Sequence, residues 1–132
     1  MRIVLDRNVL VAGLLSPHAA PARVVQAVVA GHVRVCYDTR IVAEYRQVLA
    51  RPKFGFNQDL AEEVVDWIEA SGELVAPPPL SISLPDPDDV MFLEVAMAAR
   101  ADHLVTGNVR HYPAGKRHGV SVVKPIEFVE RL

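Results

Sequence analysis

Three acidic residues in this sequence stand where a lone carboxylate is costly to bury. Asp6 directly follows the apolar residues 3–5, Glu44 interrupts a largely apolar segment, and Asp89 is spaced from Leu93 so that it turns towards a buried side. Crowded carboxylates repel one another unless a cation or a proton intervenes. Oxygen donors without a Cys or His cluster suit Mg²⁺ or Mn²⁺, and such an ion can activate water and neutralise charge at a phosphoryl centre. The pattern therefore predicts a divalent-metal site.

Other polar residues accompany these acids, and their roles stay open. Asp86 fits the N-cap of a helix better than it fits a metal ligand, and Asp88 fits an acid that faces solvent in the first turn. Thr106 ends an apolar run and Asn108 follows it two residues later, so both can bring oxygen donors to the site. Asp6 has no comparable structural explanation, because it directly follows a buried run.

A basic stretch follows Asn108. Four of its residues are candidates for contact with phosphate: Arg110, His111, Lys116 and Arg117. A solvated loop explains the stretch equally well, and its position beside the acids is what favours phosphate binding.

The elements that must position these residues alternate along the chain. Strands are predicted at 1–5, 33–37, 73–75, 103–106 and 120–123. Helices are predicted at 21–30, 40–50, 58–71 and 87–100, with a short one opened by Pro125. Thr39, Asn57 and Asp86 are the expected caps of the second, third and fourth helices, and Trp67 is expected on the apolar side of the third. The segment 76–88 contains five prolines and is expected to be a loop.

This alternation predicts an α/β fold, a three-layer sandwich with a central parallel sheet of four to five strands flanked by helices. Ligand sites in such sheets lie at the carboxyl ends of the strands, where the N-termini of the helices also lie. The rule places Asp6, Glu44, Asp89 and Asn108 at one edge, although they are far apart in sequence. We expect residues 1–132 to form a single domain.

The composition excludes several classes of protein. The net charge of −2 argues against a protein that coats nucleic acid electrostatically. Cys36 is the only cysteine, which excludes an internal disulfide and fits a reducing compartment. Asp6 interrupts the first apolar run, so a signal peptide is not expected, and no apolar stretch approaches a membrane span. We expect a soluble, cytoplasmic protein without a membrane partner.

With these motifs in view, the sequence resembles the PIN-domain family, in particular its bacterial VapC-like toxin branch. The first stretch, Ile3-Val4-Leu5-Asp6-Arg7-Asn8, looks like the family's opening strand and D-T-N motif. The remaining motifs come in the family's order and extend the match nearly from end to end: Glu44 with 48–54, then 86–96, 101–108 and 111–113.

The resemblance implies a Mg²⁺- or Mn²⁺-dependent endoribonuclease that forms a homodimer and is inhibited by a small cognate antitoxin protein. It makes Asp6, Glu44 and Asp89 the catalytic, metal-binding acids. Asn108 stands where many relatives have a fourth Asp and is a further candidate ligand. Asn8, Asp86 and Thr106 would support the site.

Position 7 departs from the family pattern, because Arg7 replaces the usual Thr or Ser. A guanidinium beside three carboxylates either neutralises the pocket and weakens metal binding, or turns outwards and holds an RNA phosphate. The first outcome motivates an alternative function, a catalytically weakened PIN-like module that binds RNA or protein, with Arg7 occupying the metal pocket.

Two phosphate-handling folds fit less well. A response-regulator receiver needs an acceptor Asp at the end of a middle strand, and 74–76 supplies none. A haloacid-dehalogenase-like phosphatase needs two Asp residues spaced by one after the first strand, where this chain has Asp6-Arg7-Asn8.

Overall fold

A parallel five-stranded sheet forms the centre of the protein, in a computed structural model that describes residues 1–132. Its strands are β1 (Arg2–Leu5), β2 (Arg34–Tyr37), β3 (Glu73–Leu74), β4 (His103–Val105) and β5 (Val122–Val123). They lie in the order β3-β2-β1-β4-β5, so the first strand of the chain is the middle of the sheet. The predicted parallel sheet is confirmed, with five strands.

Six α-helices cover the sheet in a three-layer α/β arrangement: α1 (Arg7–Leu15), α2 (Ala20–Val29), α3 (Thr39–Leu49), α4 (Gln58–Ser71), α5 (Val90–Ala99) and α6 (Pro125–Val129). Helix α5 packs on β1, β2 and β4, while α1 packs on α2, and α2 packs on α6. Short 3₁₀ turns occupy Pro52–Phe54, Pro87–Asp89, Val109–His111 and Ala114–Lys116. None of the helices combines the length and apolarity that crossing a lipid bilayer requires.

Burial of the central strand explains why its sequence is apolar without alternation. Ile3, Val4 and Leu5 are fully buried because helices cover both faces of a parallel sheet. Strand β1 pairs with β2 on one side and β4 on the other, in register from Ile3–His103 to Leu5–Val105. The ladder continues one residue further, where the Asp6 N–H donates to the Val105 carbonyl at 3.0 Å. The backbone of Asp6 is therefore fixed at the carboxyl edge of the sheet.

Several local predictions were wrong, for identifiable reasons. Helix α1 was not predicted, because its apolar residues are not confined to one side and the segment lacks a side-chain cap. The cap of α3 is Asp38 rather than Thr39, since the Asp38 carboxylate accepts from the Ile41 N–H at 3.0 Å. Trp67 is 41% exposed, and its indole N–H donates to the Val28 carbonyl at 2.9 Å.

Asp86 is a cap, but of a 3₁₀ turn. Its carboxylate accepts from the Asp88 N–H at 2.9 Å, and α5 begins only at Val90. The predicted helix at 87–100 is therefore a turn followed by a shorter helix, and the turn carries Asp89 into the interior. Strand β5 is likewise shorter than predicted and begins at Val122.

Gly13 marks the closest approach of α1 to α2. A Cβ atom there would lie 2.6 Å from Val25 Cγ2 and 2.9 Å from the Pro21 carbonyl oxygen. We therefore expect Gly13→Ala to lower the free energy of unfolding by about 1–3 kcal/mol, because the added methyl overpacks a backbone contact. Urea unfolding would measure this, with Gly115→Ala as the control, since a Cβ at Gly115 meets nothing within 4 Å. Equal stability of the two variants would contradict the prediction.

Candidate active site

Asp6 is a fully buried carboxylate at the end of the central strand. Its Oδ2 accepts hydrogen bonds from the Thr106 hydroxyl at 2.8 Å and the Tyr112 hydroxyl at 3.1 Å, while its Oδ1 has no hydrogen-bond partner. Burial raises the pKa of Asp6; the Thr106 hydrogen bond opposes this rise, and the negative charge of Asp89 adds to it. One oxygen of a buried carboxylate is therefore left without a hydrogen bond.

The guanidinium of Arg7 lies among the three predicted acids. Its Nη1 is 2.9 Å from Asp89 Oδ1 and 3.8 Å from Asp6 Oδ1, and its Nε is 2.8 Å from Glu44 Oε1. The Nε–H does not point at Glu44, so that contact is an ion pair without an aligned hydrogen bond. Burial lowers the pKa of Arg7, but the Asp89 hydrogen bond and the charges of Asp6, Asp89 and Glu44 outweigh it and raise the pKa.

Two further contacts hold Arg7 in this inward position. Its Nη2 donates to the Asp88 carbonyl at 2.6 Å, and its guanidinium carbon lies 4.8 Å from the centre of the Phe92 ring. The sequence left open whether Arg7 lies among the acids or turns outwards. In the structure it lies among the acids. The contacts also explain how Glu44 is tolerated on an apolar helix, because a cation faces it.

Asp89 is fully buried and lies between two cationic or donor groups. Its Oδ1 faces Arg7, and its Oδ2 faces His111 Nδ1 at 3.0 Å. The other ring nitrogen of His111, Nε2, lies 2.9 Å from Asn108 Nδ2. These contacts fit a neutral imidazole whose Nδ1–H donates to Asp89 and whose Nε2 accepts from the Asn108 amide.

Asn8 and Thr106 each make a hydrogen bond to the loop after β4, next to this centre. The Asn8 side-chain oxygen accepts from the Gly107 N–H at 3.1 Å, and the Thr106 hydroxyl oxygen accepts from the Asn108 N–H at 3.0 Å. Thr106 therefore links Asp6 to the loop that carries Asn108 and His111. Their supporting role in the site stays a prediction.

The structure brings most of the predicted residues together. Asp6, Arg7, Glu44 and Asp89 form one cluster, to which His111, Asn108 and Asp86 are adjacent. The predicted RNA-binding residues do not form one group. Arg110 and Lys116 are exposed, whereas the Arg117 Nε–H donates to the Tyr112 carbonyl at 2.7 Å, and His111 belongs to the acidic centre.

Two tyrosines of the site were missed by sequence reasoning. Tyr112 is fully buried against Asp6, and burial together with the charge of Asp6 raises its pKa. The Tyr45 hydroxyl donates to the Leu5 carbonyl, next to Asp6, and burial raises its pKa well above the ordinary value. Tyr45 follows Glu44 and Tyr112 follows His111, so their proximity to candidate residues was the available signal.

The donor set fits a hard divalent cation, with one condition. Asp6 Oδ1 is buried and unpartnered, and three carboxylates face a single guanidinium, so the cluster keeps a formal excess of two negative charges. Carboxylate oxygens are the ligands that Mg²⁺ and Mn²⁺ prefer. The condition is that an ion shared by Asp6, Glu44 and Asp89 needs the space in which Arg7 lies.

Comparisons with known proteins identify the family and the fold. Residues 2–110 match the model of the PIN domain family, and the chain belongs to that family. VapBC2 from Rickettsia felis, in a crystal structure with a DNA fragment from its promoter, contains a chain of similar fold. The TM-score is 0.58 at 15% identity, and the match covers 94% of this chain and 98% of that one. No curated protein matches the sequence.

The buried carboxyl of Asp6 predicts that the free energy of unfolding depends on pH. An acid whose pKa is raised on folding stabilises the folded state at low pH, and this contribution is lost as pH rises from the unfolded value near 3.8 through the folded value. We therefore expect the stability of Asp6→Asn, relative to wild type, to increase with pH over that window and to level off above it.

Urea unfolding at a series of pH values, in chelator-treated buffer, would measure this difference. Asp59→Asn, at the exposed start of α4, removes the same formal charge without removing a buried carboxyl and serves as the control. A difference that falls as pH rises would show that Asp6 is stabilised as the anion.

Proposed function

We propose that this protein is a divalent-metal-dependent endoribonuclease that hydrolyses RNA phosphodiester bonds. The observation that carries the proposal is the convergence of Asp6, Glu44 and Asp89, from three distant segments, on one point at the carboxyl edge of the sheet. These three carboxylates carry more negative charge than the single guanidinium of Arg7 can neutralise. Membership of the PIN domain family supports nuclease chemistry over other uses of such a cluster.

Asp6, Glu44 and Asp89 would hold Mg²⁺ or Mn²⁺, with the side-chain oxygen of Asn108 as a further candidate ligand. The bound ion supplies a lowered pKa for an attacking water and positive charge for the phosphoryl oxygens. Thr106 and Tyr112 keep Asp6 Oδ2 in place by hydrogen bonds, which leaves Oδ1 free to face the ion. Arg7 has to turn away from the acids, which brings its guanidinium within reach of an RNA phosphate.

A cleft of about 400 Å³ beside Glu44 is the proposed path for RNA. It is lined by side chains of α3 and α5 and by the turn before α5, including Arg40, Gln47 and Asp88. The exposed Arg110 and Lys116 belong to the loop after β4 and are further proposed phosphate contacts. Arg117 is a weaker candidate, because Tyr112 engages its guanidinium.

The biological setting we propose is that of a toxin with a small cognate antitoxin protein, in the cytoplasm, with the toxin as a homodimer. The similarity in fold to a chain of VapBC2 and the sequence resemblance to VapC-like toxins support it. Apolar side chains that stay exposed on α2 and α4, namely Val29, Leu60 and Trp67, support a protein partner.

One observation favours a second function. Arg7 already contacts Glu44 and Asp89 at ion-pair distance and is stacked on Phe92, as in a centre that an internal cation has neutralised. A PIN module of this kind would bind RNA or a protein partner without cutting. The two functions differ in whether the centre takes up Mg²⁺.

Cleavage of structured and unstructured RNAs at millimolar Mg²⁺ and Mn²⁺ tests the nuclease directly. We expect metal-dependent cleavage that falls by about 10- to 100-fold or more in Asp89→Asn, because that residue is a proposed ligand and its two oxygens contact Arg7 and His111. Asp59→Asn should cleave like wild type. Absence of cleavage by the wild type with every RNA and both ions would reject the nuclease.

Arg7→Thr separates the two functions. Without metal we expect the free energy of unfolding of this variant to be about 3 kcal/mol lower than that of the wild type, since removing a partly buried cation leaves carboxylates unpaired. We also expect calorimetry to show about tenfold tighter Mg²⁺ binding, since a competing cation is gone. Arg40→Thr, which removes a guanidinium bridging Asp38 and Glu94, is the matched control. Mg²⁺ binding by Arg7→Thr but not by wild type would favour the non-catalytic module.

A further inference from the structure

The turn that connects α3 to α4 brings aromatic and basic side chains together at the surface. Phe54 and Phe56 pack against the hydrophobic core but stay half-buried, and their rings are stacked with centroids 5.6 Å apart. Lys53 Nζ lies 5.0 Å from the centre of the Phe54 ring. Gly55, between the two rings, has a left-handed backbone, and a Cβ atom there would meet nothing within 4 Å. The space around the turn is therefore open to a ligand.

The two cations of this turn have no acidic partner. Arg51 and Lys53 are exposed, and neither takes part in an ion pair. Arg46, on the helix before them, is in contrast paired with three acids of α4. Unpaired cations beside aromatic rings are typical of surfaces that bind single-stranded nucleic acid, where the rings stack on bases and the cations hold phosphates.

The turn also continues the face of α3 that lines the proposed RNA cleft. Four residues of α3 line that cleft at the spacing of one helical face: Arg40, Ala43, Glu44 and Gln47. Arg51 comes next at this spacing, because Ala50 keeps helical dihedral angles and the Arg51 N–H donates to the Val48 carbonyl at 3.2 Å. The rise from Glu44 to Arg51 is about 10 Å along the helix axis. A single strand that passes Glu44 along this face therefore reaches the turn.

We propose that Arg51, Lys53 and the stacked rings of Phe54 and Phe56 form a subsite for single-stranded RNA. The rings offer faces on which bases stack, and the two cations hold the phosphates beside those bases. A single strand is required because the bases of an RNA duplex are stacked on one another and present only their edges. The subsite rests on the proposed nuclease, whose cleft provides the path, but it requires neither a metal ion nor cleavage.

RNA binding in chelator-treated buffer tests the subsite without cleavage. Fluorescence anisotropy of a labelled single strand of about 12 nucleotides would give the affinity of the full chain. We expect Phe54→Leu to weaken binding by about fivefold or more, because leucine keeps the apolar bulk but has no aromatic face. Phe54→Trp, which keeps such a face, should bind like wild type. Equal affinities of Phe54→Leu and wild type, or no RNA binding by wild type, would overturn the proposal.

The salt dependence of the same binding tests the two cations. Loss of one phosphate contact should reduce the slope of log affinity against log salt concentration by about 0.7, and we expect this reduction in Arg51→Gln and in Lys53→Gln. Arg23→Gln removes an exposed, unpaired cation from α2, which does not line the cleft, and should keep the slope of wild type. The same slope in all three variants would overturn the proposal.

Stacking has a direct signature that separates the subsite from the nuclease. A fluorescent adenine analogue in the RNA is quenched when it stacks on a ring, so wild type should quench it and a double variant, Phe54→Leu with Phe56→Leu, should not. A wild type that quenches the analogue but cleaves no RNA keeps the subsite and loses the nuclease. Equal quenching and equal cleavage by the two proteins keep the nuclease and overturn the subsite.

Sedimentation of the double variant distinguishes RNA from a protein occupant of the turn. We expect the same sedimentation coefficient as wild type. A changed coefficient with unchanged RNA affinity would make the turn a contact between copies of this chain and would overturn the proposal.

Discussion

A carboxylate fixed at the end of a fully buried strand is the constraint on which the rest of this structure depends. Asp6 cannot move away, because its N–H continues the β1–β4 ladder, and it cannot reach water, because the sheet and its covering helices enclose it. The chain therefore has to bring donors to it. Thr106 and Tyr112 are those donors, and the guanidinium of Arg7 adds a positive charge nearby. Together these contacts specify how the loop after β4 and the start of α1 are placed.

Arg7 affects both the stability of the metal-free protein and the affinity of the acids for a metal ion. As the first residue of α1, directly after the buried strand, it has its guanidinium against Phe92 and three acids. Arg7 reduces the charge repulsion that the three acids would otherwise carry into the interior, so the fold depends less on a bound ion. The same contact places a protein cation where the family resemblance puts a metal. Stability of the metal-free protein and affinity for the ion are thus opposed at a single side chain.

Much of the fold follows from residues that act locally. The unbroken apolar run before Asp6, the proline-rich segment before Asp86 and the cap at Asn57 each determine an element by short-range physics, and each was found in the sequence. Helix α1 was missed because its burial comes from neighbours on several sides. The strand-edge rule placed Asp6, Glu44 and Asp89 together, but it gives no side-chain directions. The inward turn of Arg7 and the pairing of His111 with Asp89 depend on contacts 82 and 22 residues apart in sequence, which no local pattern encodes.

The order of the strands along the chain also determines when the acidic centre can form during translation. Asp6 is made long before the hydroxyls that hold it, which belong to residues 100 and 106 positions later, after the strand β4 that pairs with β1. Non-local pairings of this kind form late, because the intervening chain must first be available and ordered. A ribosome-bound fragment that lacks β4 therefore has an exposed edge on β1 and an acidic group without its donors. The centre is complete only when Tyr112 has emerged, so nascent chains that end before this residue lack one of the two donors to Asp6.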